Sequence, residues 1–224
     1  MQAIDLIVVP QGVEYQAVCR GLLQAKVRVR VIAVPIGDRH AKAVLANYSP
    51  QLASARGILI MGLCGGIGAS HKVGDGVIVQ NCCNLNSDWL NLDDRLTTTI
   101  QHQLSVDVVD GLTSDRVITH STEKLKLATE YQADIVEMEG YGYVSQLQQQ
   151  NKAVAMLRVV SDDHRGDIPD ISQAIDDRGQ LRTRSLAIAL CKQPVAAIRL
   201  IRGSLIGLKA LQRMTARLFT EDHL

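Results

Sequence analysis

Glu139 lies in the segment Val136-Glu137-Met138-Glu139-Gly140, between a short apolar stretch and a helical pattern. A carboxylate has two acceptor oxygens and a vicinal diol offers two donors, so Glu139 can hold the hydroxyls of a sugar. The plainer alternative is an acidic residue favoured by the positive end of the helix it opens. A second acidic cluster, Val159-Val160-Ser161-Asp162-Asp163-His164, ends an apolar run. Asp162 then stands at the carboxyl edge of a sheet, or acts only as a cap or Asx turn. Glu14 follows the first apolar run, in Val9-Pro10-Gln11-Gly12-Val13-Glu14, and shares that edge. Its alternative is a carboxylate in a helix's first turn. The cluster Met61-Gly62-Leu63-Cys64-Gly65-Gly66-Ile67-Gly68 completes the set. Glycines after a strand let backbone N–H groups approach an anion or sugar hydroxyls, or simply make a tight turn. Taken singly, each acidic position reads as structural. Taken together, all fall after strands, where one pocket can collect them.

The elements that must position these residues follow from periodicity. Segments 3–9, 27–34, 57–63, 75–80, 106–109 and 153–160 read as strands, with 57–63 and 153–160 the strongest apolar runs; Ile135 and Val136 suggest a further short one. Helical patterns fall at 12–25, 39–47, 92–104, 121–131 and 139–150. The C-terminal part reads as two helices, 171–191 and 195–218, separated by Pro194. Strands alternating with helices predict an α/β fold, a largely parallel sheet between helical layers. No repeat or composition shift divides the chain, so residues 1–224 read as one domain.

Composition agrees. Hydrophobic residues are 46% and aromatics 3%, which predicts an aliphatic core of the kind that parallel strands under helices build. With 24 basic and 23 acidic residues, no net field for nucleic acid or an anionic membrane is expected. Cys19, Cys64, Cys82, Cys83 and Cys191 are odd in number and lack a C-x-x-C spacing, predicting reduced thiols in a cytoplasmic protein. The opening apolar run has no basic region before it and no cleavage site after it, so no signal peptide is expected. His40, His71, His102, His120, His164 and His223 show no ligand spacing, and neither a metal nor an organic cofactor is implied.

In order and spacing, Glu14, Gly62 to Gly66, Val73-Gly74-Asp75, Val136 to Gly140 and Ser161-Asp162 resemble the purine nucleoside phosphorylase/uridine phosphorylase superfamily. The match covers residues 3 to about 170. It is best with the nucleosidase branch, which cleaves methylthioadenosine and S-adenosylhomocysteine. The stretch Asp163 to Pro169 and the Pro194-led helix also resemble the hopanoid-associated phosphorylases, which are linked to removal of adenine from adenosylhopane. The resemblance implies a three-layer α/β/α sandwich around a mixed, mainly parallel, partly closed β-sheet. It also implies a homo-oligomer, a dimer or a hexamer, acting on a small-molecule nucleoside.

The resemblance further implies roles. Asp162 would be the general acid at the purine N7, held protonated by burial or by its neighbour Asp163. Glu14 would orient or deprotonate an attacking water. Glu139 would bind the ribose hydroxyls, Met138 would pack on the sugar face, and Glu137 would lie nearby. Gly62, Leu63, Cys64, Gly65 and Ser161 would border the substrate, and the backbones of Val117 and Ile118 would meet the base. The sequence departs from the phosphorylases in having Met61 where an arginine precedes the glycine cluster, with Arg20 the nearest early arginine. Leu63 or Cys64 replaces a serine. Hydrolysis is therefore favoured, with phosphate a co-substrate only if the reaction is phosphorolysis, and Leu63 suits a hydrophobic 5′-substituent.

In 195–218, Ile198, Ile201, Leu205, Leu208 and Leu211 read as one face and Arg199, Arg202, Lys209, Arg213 and Arg217 as the other. That predicts a surface helix packed on the domain, Gly203 and Gly207 implying close packing; the alternative is an interfacial helix meeting a membrane. Two further functions compete. One is a nucleoside-binding or storage protein without catalysis. The other is a dinucleotide enzyme, which the absence of G-x-G-x-x-G opposes.

Overall fold

The computed structural model describes residues 4–220, so Ala3 of the first expected strand and His223 lie outside the described residues. The chain runs β1 (Ile4–Pro10), α1 (Val13–Ala25), β2 (Arg30–Val34), α2 (Ala41–Ala46), α3 (Ser49–Ser54) and β3 (Gly57–Gly66). It continues through β4 (Gly76–Cys83), β5 (Trp89–Asn91), α4 (Asp94–Leu104), β6 (Asp107–Thr113), α5 (Ser121–Tyr131) and β7 (Ile135–Glu137). Then come α6 (Gly140–Gln148), β8 (Ala153–Asp162), a 3₁₀ turn (Ser172–Ala174), α7 (Thr183–Lys192) and α8 (Pro194–Phe219).

The sheet is mixed and mainly parallel. β1 pairs in parallel with β2 and β3, β3 with β8, β4 with β6, and β6 with β7. The antiparallel pairs are β3 with β7, β4 with β5, and β4 with β8. Followed around, β3, β8, β4, β6 and β7 close on themselves, and β1, β2 and β5 extend the sheet from this ring. Closure removes edges from the strands that carry the site.

Alternation along each strand feeds two cores. Leu6 and Val8 of β1 pack on one face with Leu45 and Leu147, beneath α2 and α6. Ile7 and Val9 pack on the other with Val18, Ile100 and Leu211, beneath α1, α4 and α8. Because both faces are covered, the central strands are continuous aliphatic runs. The three-layer α/β/α arrangement is the expected one.

The departures are local and have physical causes. The expected helix 171–191 is not continuous. Asp176 accepts from the N–H groups of Arg178 (3.0 Å) and Gln180 (2.9 Å), and Gly179 sits at φ +68°. That Asx turn outcompetes helix, and a bridge between Ile175 and Leu181 closes it. The strand expected at 27–34 begins at Arg30, the first residue with a partner on β1. β6 runs on to Thr113 because Gly111 to Thr113 pair with β7. The glycines Gly62, Gly65 and Gly66 lie inside β3, not in a loop after it, with Gly65 paired to Val136 and Asp162. β5 and α3 were not expected.

Candidate active site

One cavity of about 210 Å³ opens where β1, β3, β7 and β8 end. Glu14, Leu63, Cys64, Gly65, Val117 and Ile118 line it, as do Glu137, Met138, Glu139, Ser161 and Asp162. The structure thus gathers the expected residues, with Gly62 the exception: it lies behind the wall, beneath two charged groups.

Glu14 reaches the cavity from the first turn of α1, whose entry is set by Gly12 at φ +88°. Its Oε1 accepts from the Leu63 N–H at 2.7 Å. Burial pushes its carboxyl up to about 7, although the Leu63 N–H and the Arg158 guanidinium pull the other way. Gly62 exists for this contact. A Cβ there would stand 2.9 Å from Glu14 Oε1 and collide with Arg158 Nη1.

Arg158, from the middle of β8, is fully buried. Its Nη2 donates to Glu137 Oε2 and lies 3.5 Å from Glu139 Oε2. Among the described residues its Nε and Nη1 have no partner. These donors sit beside the buried carboxylates, behind the residues that line the cavity. Sequence reading missed Arg158, and the signal was there: it is the one charge inside the apolar run 153–160.

Glu137 and Glu139 divide the work. Glu137 accepts from the Thr113 hydroxyl, from Arg158, and from the N–H groups of Glu139 (2.9 Å) and Gly140 (2.7 Å). Its oxygens are thus engaged within the protein, and it anchors Arg158. Glu139 stands just before α6, and among the described residues its side chain accepts only from the Gly37 N–H at 3.1 Å, besides facing Arg158. Burial holds its carboxyl well above the usual range; Arg158 opposes this, and Glu137 and Glu14 add to it. It has acceptor capacity left for a ligand.

Asp162 ends β8 at the opposite side of the cavity. Its Oδ1 accepts from Ser161 Oγ at 3.1 Å, and its Oδ2 from Lys124. Lys124 is fully buried on α5 and also donates to the Asp163 carbonyl at 3.2 Å. The expected neighbour was Asp163, but the charge that faces Asp162 is this ammonium. No sequence signal set Lys124 apart from Lys126, the other lysine of α5. Cys64 lies between these groups, and burial raises its thiol far above the ordinary range, so it is no nucleophile.

The remaining wall is aliphatic: Ile36, Ile168, Ile171, Ile175 and Leu200 join Leu63. Three of these come from 168–175, and two of them, Ile171 and Ile175, fall in the part of the expected helix 171–191 that did not form. Leu200 comes from α8, which lies against β8 because Gly203 leaves room for the Ser161 carbonyl. Among the described residues, no group of three or more His, Cys, Asp and Glu side chains is arranged to hold a metal ion.

Comparison with known proteins places this site in a family. No curated protein matches the chain in sequence. Among solved structures, the 5′-methylthioadenosine/S-adenosylhomocysteine nucleosidase of Neisseria meningitidis, in complex with methylthio-immucillin-A, superposes with a TM-score of 0.70 at 16% identity, over 97% of this chain and 98% of that one. The Helicobacter pylori nucleosidase of the same name, with butyl-thio-DADMe-Immucillin-A, gives 0.66 at 16% identity, over 96% and 97%. Futalosine hydrolase of H. pylori gives 0.65 at 16% identity, over 93% and 95%. These likenesses show a shared fold. The Phosphorylase superfamily model matches residues 15–192, and the chain therefore belongs to that superfamily of enzymes.

Proposed function

We propose that this protein hydrolyses the N-glycosidic bond of a purine nucleoside, adenine-bearing and carrying a large apolar 5′-substituent such as that of adenosylhopane. One observation carries the reading. Glu14 Oε1 approaches β3 at Gly62, and Asp162 Oδ2 approaches it at Gly65, 3.0 Å from where a Cβ would be. Both carboxyls line the one cavity, Glu14 from the first turn of α1 and Asp162 from the end of β8. A nucleophile held at one carboxylate and a leaving base held at the other would bracket the sugar carbon between them. One group to activate water and another to assist the leaving group are what a glycosidic displacement by water needs.

In this reading, water sits in the cavity against Glu14. Its oxygen bonds to C1′ as the C1′–N9 bond breaks, and its proton passes to Glu14. The electron pair of the broken bond moves into the purine, and the proton that N7 acquires comes through Asp162 from the Lys124 ammonium that donates to it. Glu139 holds the ribose hydroxyls, with Met138 on the sugar face. A carboxyl pushed up to about 7 is matched to proton abstraction near neutral pH.

Water is favoured over phosphate by the charge at the nucleophile's end. Arg158 is already met by Glu137 and Glu139, and a phosphate would face those carboxylates and Glu14. Arg116, also on the cavity wall, is paired with Glu123. The aliphatic wall supports the apolar 5′-group.

The test is adenine release from adenosine, methylthioadenosine and a 5′-alkyl adenosine, each with and without phosphate. Release without phosphate, fastest for the alkyl nucleoside, is expected. Strict dependence on phosphate would overturn hydrolysis, and binding without any release would make this a nucleoside-binding protein.

A further inference from the structure

α8 is anchored along one side and bare along the other. Gly203 and Gly207 face Ser161, and Ala210, Leu211, Thr215 and Leu218 are buried. Away from them, Val195 is 81% exposed, Ile198 68%, Ile201 48% and Leu205 64%. These are three or four residues apart, so they form one stripe along the helix. Scattered exposed aliphatics are ordinary, but four in a row on one face make a patch.

The charge around the patch has one sign. From Arg178 to Thr220 the chain has nine Lys and Arg and no Asp or Glu, while the rest has fifteen basic and twenty-three acidic residues. The near-neutral total therefore conceals a strongly basic C-terminal unit. All nine cations are exposed, and among the described residues only Arg182 pairs with a carboxylate, Asp176. Arg202 follows Ile198 by four residues, and Lys209 follows Leu205 by four, so both flank the stripe.

We propose that the outward face of α8 docks this protein on an anionic lipid surface. The aliphatic stripe enters the boundary between headgroups and acyl chains, and the flanking Arg and Lys stems reach the lipid phosphates. Two other partners fit less well. A second copy meeting this face would bring two basic units together. Nucleic acid would use the cations but leave the aliphatic row without a role. No helix among the described residues is long and apolar enough to cross a membrane, so the contact is peripheral. Leu200 and Ser204, on the inward side of the same helix, line the cavity. The proposal does not depend on which nucleoside is cleaved.

Co-sedimentation of the full-length protein with phosphatidylcholine vesicles, with and without phosphatidylglycerol, tests this. Binding to the anionic vesicles alone, weakened by salt, is expected. Ile198→Asp with Leu205→Asp, and separately Arg202→Glu with Lys209→Glu, should each cut partition by about tenfold or more, with melting temperature unchanged. Absence of binding, or binding that neither pair of substitutions weakens, would overturn it. So would a dimer that Ile198→Asp with Leu205→Asp splits while vesicles are ignored, since that assigns the face to a second copy. Binding to RNA but not to vesicles would overturn it as well.

Discussion

The Lys124 ammonium, wholly buried on α5, donates to Asp162 Oδ2 at the end of β8, thirty-eight residues further along the chain. Its second bond, to the Asp163 carbonyl, ties it to the backbone after the strand. Lys124 thus positions the carboxylate at the β8 end of the cavity.

Removing one partner leaves the other buried and uncompensated, at a cost of about 3–5 kcal/mol. Lys124→Met should therefore melt well below the parent. Lys124→Met combined with Asp162→Asn should recover part of that loss, while turnover stays absent. In Lys124→Ala, added ethylammonium should restore some activity. An unchanged melting temperature in Lys124→Met would refute the pairing.

Asp162→Asn keeps the shape and removes the ionisable carboxyl. If Asp162 assists the leaving base, kcat should fall by about 100- to 10,000-fold while nucleoside binding persists. Calorimetric binding beside a turnover assay separates the two. Undiminished kcat would remove Asp162 from the chemistry.

Glu14 predicts a pH dependence. Its carboxyl is raised from 4.5 to about 7, so the base form appears only as pH rises through about 7. The rate kcat/KM should climb over that range, and Glu14→Gln should lose both the activity and the rising limb. Stability runs the other way. The native state binds the Glu14 proton more tightly than the unfolded chain does. Its contribution is therefore intact below 4.5 and lost as pH rises through about 7. The melting temperature of the parent relative to Glu14→Gln should fall across that window; a constant difference would contradict the raised value.

Gly62→Ala should act on the site through geometry alone. The added methyl would displace Glu14 and Arg158 together, and a shift of about 1 Å can cost about 100-fold in rate. Steady-state kinetics should show that loss with the expected residues otherwise unchanged. Near-normal kcat/KM would mean that the two side chains move aside freely.

Much of this site was legible along the chain because chemistry and secondary structure coincide locally. Apolar runs ending in Glu, Glu-Met-Glu and Ser-Asp announce strands that stop at a sheet edge, and edges of α/β sheets are where ligands bind. The sequence by itself therefore determined the α/β layering, the aliphatic core, and the acidic residues Glu14, Glu139 and Asp162. Tertiary structure alone decided the rest. Closure of β3 onto β7 turned an apparent glycine loop into strand, because the partner is some seventy residues away and leaves no local mark. Lys124 became a partner of Asp162, and Arg158 of Glu137, because a buried charge must find its opposite wherever the fold brings one. The Asx turn at Asp176 replaced a helix whose apolar spacing was sound, since a short-range hydrogen bond outweighed propensity there. Periodicity reports which face a residue will take; which residue it will meet there depends on contacts far apart in sequence.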